Sequence, residues 1–236
     1  MKGLSMSYHP NVARNIPASA DRIPPPRGDA RARDALPVGA MGGPLFVTLV
    51  VVQMAVVPWF DITRQPLSVL SVGETSWLQK AAFVLGGLLI VIGARGLRWA
   101  LGGTPGGGAG VALVGVFGVG LLASGVFDVD PGDGAPPGSP VLEAADYSWH
   151  MYAHNMSSMV AFICLSIACF VFVRRFARLR QRGWVICSLF VGISTPVLFF
   201  LPLGQPSLRL AIATVFMLTW TTALFLSIRA ASRPTI

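Results

Sequence analysis

Across residues 40–230 the apolar positions come in long unbroken runs separated by short polar segments, rather than alternating with polar residues. Runs of this length predict membrane-crossing helices, because a hydrocarbon core about 30 Å thick needs ~20 residues at 1.5 Å rise each. Lipid accepts only helices or closed barrels, since every backbone N–H and C=O must find its partner inside the protein. Six helices are predicted, at about 44–60, 78–98, 108–127, 151–173, 184–203 and 208–228. Together they form one all-α, six-helix polytopic domain over 43–230. Pro58 near the end of the first helix, and Pro196 and Pro202 in the fifth, predict kinks.

Composition agrees with this pattern. The chain has 236 residues, 53% hydrophobic and only 12% charged, with mean hydropathy +0.66, against about 25% charge in an ordinary soluble domain. Residues 1–38, including "RIPPPRGDARARD", hold no apolar run, and their Pro, Arg and Ala content predicts a disordered basic tail.

The cations fix an expected orientation. Fifteen of the 18 basic residues fall in the tail, after the second helix at Arg95 and Arg98, after the fourth at Arg174, Arg175, Arg178, Arg180 and Arg182, and after the sixth at Arg229 and Arg233. With six helices these places share one side, and the positive-inside rule puts both termini in the cytoplasm of a multi-pass plasma-membrane protein. Seven of the ten acids lie on the other side: Asp61, Glu74, Asp128, Asp130, Asp133, Glu143 and Asp146. The net charge of +8 is thus mainly a topology signal, and no soluble basic domain exists to bind nucleic acid. The five arginines after the fourth helix are also the expected contact for anionic lipid.

Five of the six tryptophans (Trp59, Trp77, Trp99, Trp149, Trp184) fall at predicted helix ends, where an amphipathic ring suits the head-group layer, while Trp220 is expected to pack between helices. Cys164, Cys169 and Cys187 are odd in number and lie inside helices, so a disulfide framework is not expected. In the third helix Gly115, Gly118, Gly120 and Gly125 read as sites of close helix approach and not as a nucleotide loop, since no G-x-G-x-x-G is present.

The chemistry concentrates in "DYSWHMYAHNMSS", residues 146–158. On a helix Asp146, His150, His154 and Ser157 share one face, and Ala161, Cys164 and Ala168 continue it with small residues. That face therefore turns inward, at an extracytoplasmic mouth. Asp128 and Asp130 after the third helix, and Asp61 in "FDITRQPLSVLSVGETSWLQK" after the first, can reach the same mouth. The latter segment is too apolar for a solvated loop and is expected to fold back as a cap. Three readings are open. In the first, Asp146 is a helix N-cap or first-turn acid and the histidines tie the loops down. In the second, His150 and His154 with a carboxylate hold a divalent metal whose bound water attacks lipid head groups. In the third, the ionisable groups mark a route for a proton or small solute.

The segments "FDITRQPLSVLSVGETSWLQKAAFVLGGLL", "GVFGVGLLASGVFDVDPGDGAPPGSP" and "HMYAHNMSSMVAFICLSIACFVFVRRF", with the "GW" opening the fifth helix, resemble the bacterial and archaeal membrane family catalogued as domain of unknown function 998, over about 43–230. The resemblance implies a six-helix membrane protein and carries over no catalytic residue. The matching positions are Pro66, Ser68, Asp130, Pro131, His150 and His154; the residue after the second histidine is often acidic in that pattern, whereas Asn155 stands here. The sequence therefore points to a membrane protein, leaning non-enzymatic, that handles a small solute, proton or lipid at its outer mouth. The alternative is a metal-dependent hydrolase of lipid head groups.

Overall fold

Seven α-helices and two short 3-10 turns make up the computed structural model, which describes residues 28–104, 106–132, 134–201 and 204–232. The helices are α1 Gly28–Ala40, α2 Gly42–Val56, α3 Ser76–Leu101, α4 Ala109–Val126, α5 Trp149–Arg178, α6 Arg182–Phe200 and α7 Pro206–Ala231. Six segments are long and apolar enough to cross a membrane, with mean hydropathy between 1.7 and 2.4; the first, Asp34–Val56, runs through the α1–α2 junction. Pro44 explains that junction. Its ring crowds the carbonyl four residues back, which belongs to Ala40, the last residue of α1.

The expectation of a disordered tail to residue 38 is corrected here, because residues 28–38 are helical and the first span begins ten residues before the predicted one. Pro37, Gly39, Gly42 and Gly43 also read locally as breakers, but tertiary packing keeps them helical. Leu36 is fully buried, and a Cβ on Gly39 would stand 2.3 Å from the Gly93 Cα of α3, so backbone here meets backbone. Residues 1–27 lie outside the described residues. The predicted kink at Pro58 falls beyond the end of α2, and Pro202 is not among the described residues.

α3, α4 and α5 pack in sequence, α1 and α2 pack on α3, α7 closes against α1 and α2, and α6 lies against α5 and α7. Glycines set the spacing. A Cβ on Gly87 would lie 2.6 Å from both the Gly118 carbonyl oxygen and the Leu122 amide nitrogen, and one on Gly120 would lie 2.8 Å from the Ser157 carbonyl oxygen. Gly118, Gly120 and Gly125 are thus contact surfaces as expected; Gly115 is not, since its nearest neighbour would be 3.8 Å away. Trp220 packs between helices, edge-on to Phe172, and its indole N–H donates to Ser188 Oγ at 3.0 Å. All three cysteines are free.

α6 differs from its neighbours. Ile186, Phe190, Ile193, Val197 and Phe200 form an exposed stripe at helical spacing, the side expected to meet lipid. Gly192 brings α6 close to α5, where an added Cβ would lie 3.1 Å from Cys169 Cβ, but Pro196 follows four residues later and denies the Gly192 carbonyl its helical partner. Beyond that point α5 and α6 diverge around a cavity.

Two ends can now be distinguished. At the histidine end lie the start of α5, the α2–α3 and α4–α5 connections, and the Lys80–Asp128 ion pair joining the start of α3 to the end of α4. At the arginine end, the Arg175 guanidinium of α5 donates to Thr104 Oγ1 in the α3–α4 connection at 2.8 Å. Gly87→Ala is expected to destabilise the protein by about 1–3 kcal/mol through overpacking, while Gly115→Ala is neutral or slightly stabilising. Thermal unfolding of the two variants in detergent checks this, and equal midpoints would refute the close-approach account.

Candidate functional site

The histidine end is built from helix termini, whose last carbonyls and first amides have no partner inside their own helix. α5 begins at Trp149 with Ser148 as its N-cap, the hydroxyl accepting from the Met151 amide at 3.2 Å. Asp146, a helix N-cap or first-turn acid in one of the three readings, instead sits before the helix in the turn Ala144–Asp146, exposed, and accepts from the Glu143 amide. Asp130 supports the cap. Its carboxylate accepts from the Ser148 amide at 2.6 Å and the Ser148 hydroxyl at 2.7 Å, tying the α4–α5 loop to the start of α5.

His154 is 2% exposed, and its Nδ1 lies 2.7 Å from the Ser124 carbonyl oxygen in the last turn of α4. A carbonyl only accepts, so Nδ1 carries the proton and donates. One carbonyl left over at the end of α4 is thereby satisfied from α5. Ser124 Oγ donates to the Gly120 carbonyl at 2.9 Å, and Ser158 Oγ stands 2.8 Å from Ser124 Oγ, so the same turn is pinned twice. The His154 ring meets Phe83 edge-on at 5.6 Å.

His150 takes a different environment. Its ring stacks on Trp149 at 3.6 Å between centroids and lies 6.5 Å from Phe127, with Nδ1 buried and unpartnered. Ser157 donates back to the Ala153 carbonyl at 2.7 Å. Asp128 pairs with Lys80 at 2.5 Å, and the hydrogen bond from that ammonium holds its carboxyl below the ordinary 3.8. A depressed carboxyl stabilises the fold above its unfolded value, and that contribution disappears as pH falls through the lowered value. Being largely exposed, the pair contributes no more than ~1 kcal/mol. Among the described residues no three His, Cys, Asp or Glu side chains come together as metal donors.

The segment after α2 folds over this end as a cap. Leu67–Ser71 forms a 3-10 turn with Leu70 and Ser71 buried. Gln53, fully buried in α2, holds it down: Nε2 donates to the Leu70 carbonyl at 2.7 Å and the Thr75 carbonyl at 2.8 Å. Ser207 at the start of α7 donates to the Arg64 carbonyl at 3.1 Å. The cap is therefore fastened to both α2 and α7.

Three adjoining spaces that share lining residues lie toward this end. A polar vestibule of about 580 Å³ is lined by Trp59, Asp61, Arg64, Asp130, Tyr147 and Met151, among others. A groove of about 360 Å³ below it shares Pro66, Tyr147 and Met151 with the vestibule and is lined further by His154, Asn155, Met159 and Phe199. An apolar slot of about 240 Å³ between α5 and α6 shares Met159, Phe162 and Phe199 with the groove and reaches Ser166, Phe170 and Pro196. The Asp61 carboxyl at the vestibule is held low by hydrogen bonds from the Thr63 hydroxyl and amide, at 2.7 and 2.9 Å, and so stays ionised.

The one constellation expected from the sequence thus divides. Asp61, Asp130 and His154 line the adjoining spaces, whereas Asp128, Asp146 and Ser157 are engaged in local ties and His150 stacks against the helix start. Gln53, Met159 and Phe199 were not foreseen, and only the isolated amide of Gln53 in an apolar run could have signalled its role. At the far end Arg174, Arg175 and Arg178 belong to the last turns of α5 instead of a loop, Arg180 takes φ 56° in the α5–α6 turn, and Arg182 opens α6.

These features define a multi-pass, all-helical membrane protein with an internal cleft at one end. The chain belongs to the family described as a protein of unknown function, DUF998, whose model matches residues 40–228. No curated protein and no solved structure matches it.

Hydrogen bonds to a charged partner contribute about 1.5–3 kcal/mol. Asp130→Ala and Ser148→Ala are each expected to lower stability in that range, with the double variant costing clearly less than their sum. A double-mutant cycle on thermal or denaturant unfolding checks the tie, and additive effects would refute it.

Proposed function

We propose that the protein binds an amphiphile, a membrane lipid, with the head group in the vestibule and an acyl chain running through the groove into the slot between α5 and α6. The observation that supports this reading is that three adjoining spaces share walls, the vestibule polar at the helix ends, the groove mixed, and the slot between α5 and α6 almost wholly apolar. A small solute or proton needs no apolar slot, and an aqueous route would not end among Phe162, Phe170 and Phe199. His154 in this reading is a wall of the groove and a brace for α4, with no proton to pass.

The histidine end faces the outside of the plasma membrane and both termini lie in the cytoplasm, a reading supported by the cations gathered at the opposite end. There Arg174, Arg178, Arg180 and Arg182 meet anionic head groups, each cation contributing ~1 kcal/mol near such a surface, while Arg175 secures the α3–α4 connection.

Met159 sits where groove and slot join, whereas Val160 beside it is exposed on the outer surface of α5. Native mass spectrometry of the purified full chain is expected to show one tightly held lipid that Met159→Trp displaces and Val160→Trp does not. Equal retention in the two variants would overturn the reading. In a background without cysteine, Gly138→Cys should react with an impermeant thiol reagent added outside intact cells and Arg178→Cys should not. The reverse labelling would invert the orientation.

A further inference from the structure

We propose that the head group received by the vestibule carries both an ammonium and a phosphate, so that the ligand is a zwitterionic phospholipid or its single-chain form. The proposal rests on the amphiphile reading above and adds the chemistry of the polar end. Among the described residues the vestibule is lined by one guanidinium, Arg64, and two carboxylates, Asp61 and Asp130. Among the described residues Arg64 forms no ion pair with either carboxylate, although its charge adds to the Thr63 hydrogen bonds in holding the Asp61 carboxyl low, so opposite charges line one space at longer range.

Each carboxylate retains acceptor capacity. Both Thr63 donors reach Oδ1 of Asp61, leaving Oδ2 for a ligand. Asp130 takes two donors from Ser148, and an ionised carboxylate offers about four lone-pair sites. Trp59 and Tyr147 line the same space, and aromatic rings beside carboxylates are the surroundings that attract an ammonium group. Arg64 supplies the planar donor set suited to a phosphate oxygen. A purely anionic head group would meet two carboxylates for one guanidinium, which sets the expected order of preference. The exposed Lys80 does not change this count, being paired with Asp128 and absent from the vestibule lining. A free zwitterion could satisfy the same polar groups, but only a lipid also fills the groove that shares Pro66, Tyr147 and Met151 with the vestibule.

The test uses the purified full chain in a non-ionic detergent, titrated with lysolipids of one acyl chain length that bear phosphocholine, phosphoethanolamine or phosphoglycerol, with bound lipid read by native mass spectrometry. At least one of the two ammonium lipids is expected to bind about tenfold more tightly than the phosphoglycerol lipid, a difference of ~1.4 kcal/mol. Asp61→Asn, which keeps the Thr63 contacts, and Arg64→Gln are each expected to remove most of that preference while leaving the thermal midpoint unchanged. Equal binding of the three lipids, a preference for phosphoglycerol, or a preference untouched by both substitutions overturns the head-group assignment and leaves the amphiphile reading standing. If none of the lysolipids binds, the amphiphile reading itself fails.

Discussion

Backbone-to-backbone contact through glycine is the constraint on which the rest of this structure depends. In lipid, helices gain little from hiding apolar side chains, so close packing decides which of them adhere. Gly39 against Gly93, Gly87 against Gly118 and Gly120 against Ser157 bring α1, α3, α4 and α5 together until no side chain fits between them. α6 has no such point against α5: Gly192 meets only side chains, of Cys169 and Phe170, and beyond it Thr195, Pro196 and Phe199 line the space beside α5 with bulky or kinking groups. One side of the bundle is therefore tight, and the other opens toward the histidine end. The slot is a consequence of where glycine stops.

The same end explains the polar residues. A helix that stops within reach of lipid leaves carbonyls and amides that something must satisfy. His154 serves the last turn of α4, Ser148 with Asp130 the first turn of α5, Gln53 the cap, and Arg209 the last carbonyls of α6 at Leu198 and Leu201. Apart from the Ser148 cap on its own helix, each is made by a side chain from a different element. The polar groups turned toward the vestibule, Asp61, Arg64 and part of Asp130, are those that closure does not fully consume.

The number and approximate places of the spans were legible because a run of some twenty apolar residues has few alternatives in lipid. The start of the first span was not, since Pro37 and Gly39 carry local breaking signals that packing against α3 and α7 overrides. Four-residue spacing correctly put His150 and His154 on one face, yet it could not tell which neighbour each would meet. Asp146 was misplaced for a related reason: helical phase was extended back through Tyr147 and Ser148, whereas the helix starts at Trp149. The lining of the vestibule comes from Trp59 to Pro66, from Asp130, Gly132, Gly134 and Ala135, and from Tyr147 and Met151, which have no periodic relation to each other, so no pattern along the chain could assemble it.

The resemblance noted in the sequence acquires a spatial meaning from the cavities. Pro66 lines both the vestibule and the groove, Asp130 lines the vestibule, and Ser68 and His154 line the groove. Asn155, standing where the family pattern often has an acid, lines the groove as well. An acid at that position would add a charge to a groove whose lining includes Phe46, Leu67, Leu121, Met159 and Leu210. In this chain the negative charge is instead confined to Asp61 and Asp130 at the vestibule, and the groove below them stays neutral. That separation of a charged entrance from an uncharged interior is what an amphiphile, with its two unlike ends, can satisfy along a single path.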